Sequence, residues 1–419
     1  MMETETLLHP ACLKDYLADH KDKFYSLRQK ALQQYHGLPS RQDENWKYLR
    51  FQSLEKMALH LPDKKSVLQA PVPFGIDHYE IVVTPFAIQS SNLPADLNIR
   101  PITDSEPEDH VRFEAATQSA FLHLNTALFH AGFVLDIPAD YVVDKPIVIH
   151  YLLPHAAFAT LVSNRVHLNL AHHSQATIIE NYATVDGLQS LVENTVFAVK
   201  LAAHAKLNLL KLQVRSQSVM HIANLWVEQS RDSQFVHHHM ALGAKLARDD
   251  IRCELIQTGA VTSLNGVYLL NQAQVIDNHL SIQHRVDHCQ SQQNYKGIVG
   301  DQSQAVFNGK TVVHANTKQN KAVQNNANLL LSDNAEVDAK PELEIYADEV
   351  SCSHGCTVGG LDETALFYLQ SRGIPLSQAK QLLMRGFVAE ITETIEREDI
   401  ADIFNTFLFD KLANLLEFA

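Results

Sequence analysis

The chain has 419 residues, 46% of them hydrophobic and 20% charged, with a formal net charge of -14. That is enough for two or three substructures at roughly 100 to 200 residues per domain, and the composition is that of a folded protein. The acidic balance and the absence of clustered Lys and Arg exclude a nucleic-acid backbone as the main partner, because phosphate contacts need such clusters.

Five cysteines, odd in number and scattered, make no disulfide framework. The opening MMETETLLHPACL is acidic and lacks the basic-then-apolar order of a secretory signal, and no apolar run approaches the ~20 residues that span a bilayer. The expected compartment is the reducing cytosol, with no membrane contact.

Residues 5–36 read as one helix, with Leu13, Tyr16, Leu17, Phe24, Leu27, Ala31 and Tyr35 near helical spacing and Gly37 and Pro39 as its stop. In GLPSRQDENWKYLRFQSL, the aromatics Trp46, Tyr48 and Phe51 are expected to anchor this region onto the rest. From Glu80 short β-rich runs begin. Residues 121–149 read as consecutive short strands punctuated by Gly132, Pro138 and Pro146.

Between about 147 and 350 the hydrophobic alternation is sustained. A small residue opens a strand at Ala176, Ala205, Ala244, Ala273, Ala305 and Ala335. The spacing suits a β-solenoid of about 30 residues per coil with one coil stretched by an insertion. An antiparallel sandwich predicts a similar alternation, and periodicity alone does not separate the two.

After Val358 the pattern turns helical. Asp362 reads as the N-cap of a helix that stops at Gly373, and Ser377 as the cap of a second, with Ala379, Leu383, Phe387, Ile391 and Ile395 recurring every four residues. A third carries an apolar stripe from Ile400 to Leu416. The stripe suits packing on the protein itself or docking into a partner's groove.

Chemistry concentrates in Lys340 to Leu369. Cys352, His354 and Cys356 occupy alternate positions, so on a strand all three project from one side, neighbours roughly 6.5 Å apart. Three ligands meet on one ion only if the chain bends, for which Gly355 is suited, and a full coordination sphere needs ligands from elsewhere. The plainer reading is small buried thiols beside a hydrogen-bonded histidine.

Other motifs fail. FNGKT at 307–311 lacks the first glycine of a phosphate loop, since Gln304 stands there. His237, His238 and His239 read as an exposed polar strand end. Asp249 and Asp250 are adjacent, hence on opposite faces of a strand and unsuited to the paired acid and base of a β-helical glycan enzyme.

The segments GLPSRQDENWKY, LNTALFHAGFVLDIPADYVVDKPI, FNGKTVV, QNNANLLLSDNAEVDAKPELEIYADEVSCSHGCTVGGLDE and FYLQSRGIP resemble the SufB/SufD family of iron-sulfur cluster assembly proteins from residue 37 to 375. The resemblance implies a mainly β fold, a right-handed parallel β-helix core flanked by N-terminal and C-terminal α-helical regions. The boundaries expected are 1–75, 76–358 and 359–419.

It further implies a non-catalytic scaffold subunit that pairs with a SufB-like paralogue through the β-helices. A SufC-like ATPase, the chain expected to hydrolyse ATP, docks on the C-terminal helices through Phe367, Tyr368, Arg372, Leu383 and Phe387. His354 matches a family histidine that acts at the paralogue interface, and Cys352 matches its neighbouring cysteine. Cys356 stands where alanine is common in the family, as an extra ligand or a small buried substitute.

The cargo implied is transient iron or an iron-sulfur cluster, with a link to iron acquisition. Nothing is expected to bind the isolated chain tightly; flavin in the complex is not legible in these residues. An isolated chain has an uncovered sheet edge through which it can form a homodimer.

Overall fold

The computed structural model describes residues 8–68, 70–110, 119–155, 157–183 and 190–417. Two sheets face each other across an apolar interior. The first runs through Asn98–Pro101, Ala131–Ile137, Thr160–Leu170, Leu191–Leu201, Val219–Gln229, Leu246–Leu255, Val275–His284, Gln304–Val313 and Glu336–Ile345. The second runs through Ile88–Ser91, Tyr79–Val83, Ile147–Tyr151, Gln175–Ala183, Lys206–Val214, Gln234–Ala241, Val261–Leu270, Gln290–Val299, Asn320–Leu330 and Val350–Gly359.

From Thr160 onward successive strands alternate between the sheets and pair in parallel with the strand one coil earlier. This is a parallel β-solenoid, which excludes the antiparallel sandwich.

Several coils turn a corner on a left-handed residue, among them Asp140, His173, His204, Asp232 and His288. Aspartate and histidine tolerate that conformation better than branched residues. The corners are tied coil to coil by backbone bonds such as His173 N to Ala203 O (3.1 Å) and His204 N to Arg231 O (2.9 Å).

The alanine repeat misidentified one coil. Leu191 sits beside Val219 and Met220 beside Leu246, so the coils that contain Ala205 and Ala244 are short ones and hold no insertion. Ala205 precedes its strand, whereas Ala244 is itself a left-handed turn residue. A small residue is favoured at both places for different reasons.

Helices cover the outward face of each sheet. The single N-terminal helix expected over 5–36 is two, α1 (Pro10–Asp19) and α2 (Tyr25–Gln34). Asp22 makes the break: its carboxylate accepts from the Phe24 amide (3.0 Å) and from the Arg28 guanidinium (2.9 Å), a local alternative to continuing the helix.

After the short α3 (Gln52–Glu55) comes a second correction, since the first part of 121–149 is not strand but α4 (Ala120–Leu128). Phe121 to Leu128 are all buried, His123, Asn125 and Thr126 included, and a helix buried on every side shows no division into apolar and polar faces to read. Arg28 fixes its end by donating to the carbonyls of Ala127 (2.9 Å) and Phe129 (2.8 Å). Trp46 and Phe51 pack on Phe121, as expected of anchors, over Leu161, Val192 and Ile222 of the first sheet. Tyr48 is only half-buried.

Next come α5 (Glu363–Ser371), packed against α6 (Leu376–Thr392), and α7 (Glu398–Glu417), with α6 and α7 lying on the second sheet. Asp362 caps α5, its carboxylate accepting from the Thr364 and Ala365 amides. Ser377 does not cap α6, which starts one residue earlier behind Pro375.

The buried row of α6 is Ala379, Met384, Val388, Ile391 and Thr392, with Leu383 and Phe387 at its margin. Every fourth residue drifts around a helix of 3.6 residues per turn, which is why the expected row slides off the contact. With α7 residues Phe404, Leu408 and Leu412, this row covers Leu210, Met240, Val267 and Ile298 of the sheet. Each fully buried apolar side chain there is worth about 1.5–3 kcal/mol.

Candidate functional site at the open end of the solenoid

The two ends of the solenoid differ. At the N-terminal end both sheets finish in antiparallel pairs, Tyr79–Val83 with Ile88–Ser91 and Asn98–Pro101 with Ala131–Ile137. At the C-terminal end Glu336–Ile345 and Val350–Gly359 are last in their sheets, each bonded along one edge. An unpaired edge presents a row of free backbone donors and acceptors to another chain. Ile345, Tyr346 and Val358 are exposed beside it, at 43%, 62% and 47%.

Cys352, His354 and Cys356 sit on this last strand. In the parallel register Cys352 lies beside Ala322, His354 beside Gln324 and Cys356 beside Asn326. Those three neighbours are buried, so the three candidate ligands continue the inward-facing rows of the solenoid where no further coil covers them. Cys352 is half-buried, and His354 and Cys356 are exposed.

The strand stays in register past Gly355 without a bend. Among the described residues, the one group of three or more His, Cys or carboxylate side chains with ligand atoms within 4.8 Å of one another is His78, Glu80 and His150, at the other end of the solenoid. Cys352, His354 and Cys356 therefore share a side of the strand without converging on one point in this chain. Burial raises both the Cys352 and the Cys356 thiols above their ordinary value, so each stays protonated at neutral pH until a metal or a cationic partner displaces the proton.

Beneath these residues lies a polar ladder that motif reading missed. Asn326 donates to the Tyr268 hydroxyl (3.1 Å), Asn328 donates to Asn326 Oδ1 (2.7 Å), and the Cys356 thiol reaches Asn326 Oδ1 at 3.8 Å. Gln324, directly under His354, is buried with neither side-chain atom hydrogen-bonded. The signal in the sequence is the alternation of Gln324, Asn326 and Asn328, polar at the positions where the period of two calls for core residues.

Cys253 and Cys289 are buried and packed in the core, and burial pushes the Cys289 thiol up to about 11. The FNGKT segment is plain strand within Gln304–Val313, where a side chain at Gly309 would collide with Gln324 and Gln293. Asp249 and Asp250 face opposite ways, Asp249 inward onto Lys211 and Asp250 outward onto Arg248.

The histidine run is not an exposed strand end. His237, His238 and His239 are buried, His237 and His239 stacked inside with ring centroids 6.0 Å apart and His238 bonded to Thr394 of the linker after α6 (2.8 Å). Three polar residues in a row read as surface only if the other side of the sheet is solvated, and here helices cover it.

Of the C-terminal residues singled out, Phe367 and Tyr368 are exposed, at 72% and 57%, and so is Arg372, whose guanidinium lies over the Tyr368 ring. Leu376 and Leu382 of α6 are exposed as well. Leu383 and Phe387 are half-buried, and the Phe387 carbonyl accepts from Lys296 of the second sheet (2.8 Å). No described helix is long and apolar enough to cross a membrane.

Fold and edge together define a parallel β-solenoid protein whose open end carries two thiols and an imidazole on its last strand. The family model "SUF system FeS cluster assembly, SufBD core domain" matches residues 154–387, and the chain belongs to that family. It is SufD-like. The iron-sulfur cluster assembly protein SufD of Escherichia coli is 29% identical over 384 residues, covering 87% of each chain. A SufBD family protein of Synechocystis is 29% identical over 382 residues, 85% of this chain and 84% of its own length. SufD of Bacillus subtilis is 27% identical over 281 residues, 66% of this chain and 63% of its own. The role of this protein is in iron-sulfur cluster assembly.

Proposed function

We propose that the chain is the non-catalytic scaffold subunit of a cytosolic SufBCD-type complex. In this reading the open solenoid end pairs with a SufB-like paralogue, a SufC-like ATPase docks on α5 and α6, and iron or a nascent cluster is handled between the two solenoids. The observation that carries it is the uncapped last coil, where an unpaired edge, exposed apolar residues and three potential ligands coincide.

A parallel solenoid needs its terminal coil covered, and a second solenoid supplies a matching edge. His354 and Cys352 then contribute an imidazole and a thiol to a ligand set completed by the partner. Such a set suits iron and sulfide cargo and releases it more easily than a closed four-ligand cage. The raised thiols work in the same direction, because loading must displace a proton. The exposed surface of Phe367, Tyr368, Leu376 and Leu382 supports docking of the ATPase. Iron acquisition fits His354, an exposed imidazole two residues from Cys352.

The test is iron and acid-labile sulfide in the complex purified without oxygen after co-expression with the SufB-like and SufC-like partners, wild type against His354→Ala. Equal recovery of the complex with lost iron and sulfide is expected. Equal recovery with unchanged iron and sulfide returns His354 to packing, and failure of the paralogue to co-purify with wild type overturns the pairing. A second copy of this chain at the same edge would appear as a homodimer that the paralogue displaces.

A further inference from the structure

At the capped end of the solenoid, about as far along the coils from Cys352 as the second sheet allows, His78, Glu80 and His150 bring one ligand atom each within 4.8 Å of one another. We propose that these three residues form a binding site for a divalent first-row transition metal of the Fe(II) or Zn(II) type, separate from the edge strand.

The local structure gathers them. Tyr79–Val83 pairs in parallel with Ile147–Tyr151, with Glu80 beside Val148 and Val82 beside His150. Ile81 and Val83 face the core, so Glu80 points outward. Val148 and Ile179 on that outward face join the apolar layer under α6 and α7. A carboxylate and a buried imidazole beside such a layer are costly without a partner. His150 Nε2 lies 3.6 Å from Glu80 Oε1.

Each ligand is oriented by a further contact, as in metal sites whose outer groups fix tautomer and direction. His78 Nδ1 is 2.7 Å from the Ile76 carbonyl, which accepts only from Nδ1–H and so leaves Nε2 as a bare lone pair. Glu80 Oε2 accepts from the Ser91 hydroxyl (3.3 Å), holding the carboxylate.

His150 Nδ1 lies 3.2 Å from the Asn181 side-chain amide, and the other amide atom, Oδ1, is buried without a partner. Turning that amide over lets Oδ1 accept from His150 Nδ1–H, which frees Nε2 toward Glu80 and His78.

Two imidazoles and one carboxylate suit iron, zinc or a similar cation and leave coordination positions open. Bonds of ~2.0–2.2 Å draw ligand atoms somewhat closer than they stand here. His78 and Glu80 are half-buried and supply that movement, while His150 is fixed in the sheet.

The experiment uses the full-length, tag-free chain carrying Cys352→Ser, His354→Ala and Cys356→Ser, so that the edge strand cannot bind. Co(II) is titrated after chelator treatment and followed by its visible d–d bands; Zn(II) affinity is read by competition with a chromogenic chelator. One equivalent is expected, without a thiolate charge-transfer band.

His78→Ala and Glu80→Gln, each checked for an unchanged melting temperature without metal, should weaken binding more than about 100-fold. Asn181→Ala should weaken it by about 10- to 100-fold, the usual span for an outer-shell loss. His173→Asn with His204→Asn, a stacked pair elsewhere whose left-handed backbone asparagine also accepts, should leave the affinity unchanged. No binding in the parent, or equal binding in His78→Ala and Glu80→Gln, overturns the site. Neither result bears on the iron and sulfide of the complex, which depend on His354.

Discussion

The middle and the last coil of the solenoid place polar groups at equivalent inward positions and treat them in opposite ways. In the middle, Glu193 accepts from Arg215 at 2.6 and 2.9 Å and lies 2.8 Å from His221 Nδ1, all three fully buried. Lys211 bonds Asp249 in the same interior, and His239 stands 3.3 Å from that carboxylate. In the last coil the inward groups are Cys352, half-buried, and His354 and Cys356, exposed, none of them in an ion pair among the described residues. Charge buried between coils is matched within the chain, while groups left on the final strand are available to another molecule.

The largest effect expected from breaking this arrangement is at Arg215. Arg215→Met strands the Glu193 carboxylate and should lower unfolding free energy by about 3–5 kcal/mol in urea titrations. A loss below about 1 kcal/mol would show that the network is not held as described. Next comes Met384→Ala, which removes a fully buried side chain between α6 and the second sheet and should cost about 2–5 kcal/mol by the same measurement.

The interior also sets a pH dependence. Desolvation lowers His238 to about 4, and desolvation, only partly opposed by Asp249, brings His239 to about 4. Unfolded histidine titrates near ~6.5, so between there and about 4 the unfolded chain binds more protons. Stability is therefore fully present above pH ~6.5 and declines toward pH 4. His238→Gln, which retains a donor for Thr394, should flatten that decline in urea midpoints taken from pH 7 to 4.5. An unchanged slope would assign it to other groups.

Glu193 adds a loss at lower pH. Burial alone would raise its carboxyl, but Arg215 and His221 outweigh that and hold it at about 2, so its contribution fades from pH ~4.5 downward.

The smallest effects on folding belong to the exposed groups. Phe367→Ser should leave the urea midpoint unchanged while weakening capture of the SufC-like ATPase by about tenfold or more, as expected of an exposed aromatic anchor. A changed midpoint with unchanged capture would make it a packing residue. His354→Ala should likewise leave the isolated chain's midpoint where it is, and a marked drop would place the imidazole in the folding core.

The alternation from 147 to 350 determined that strands stack with one face buried about every 30 residues, while the parallel pairing of each strand with the one a coil earlier decided for the solenoid over a sandwich. Asp362 and Gly373 determined the limits of α5, since capping is local chemistry. The placement of Cys352, His354 and Cys356 on one side of a strand followed from their spacing alone, and the CSHG block carried the family.

Tertiary structure decided the rest. Helix α4 was illegible because burial on every side erases the periodicity that marks a helix. The burial of His237 and His239 depended on the stacking of coils around the interior, and that of His238 on α6 and α7 folding back over a sheet face that local sequence leaves undetermined. The gathering of His78 and Glu80 with His150 joins residues about 70 positions apart through a parallel pairing, and no local pattern announces a contact that only sheet register creates.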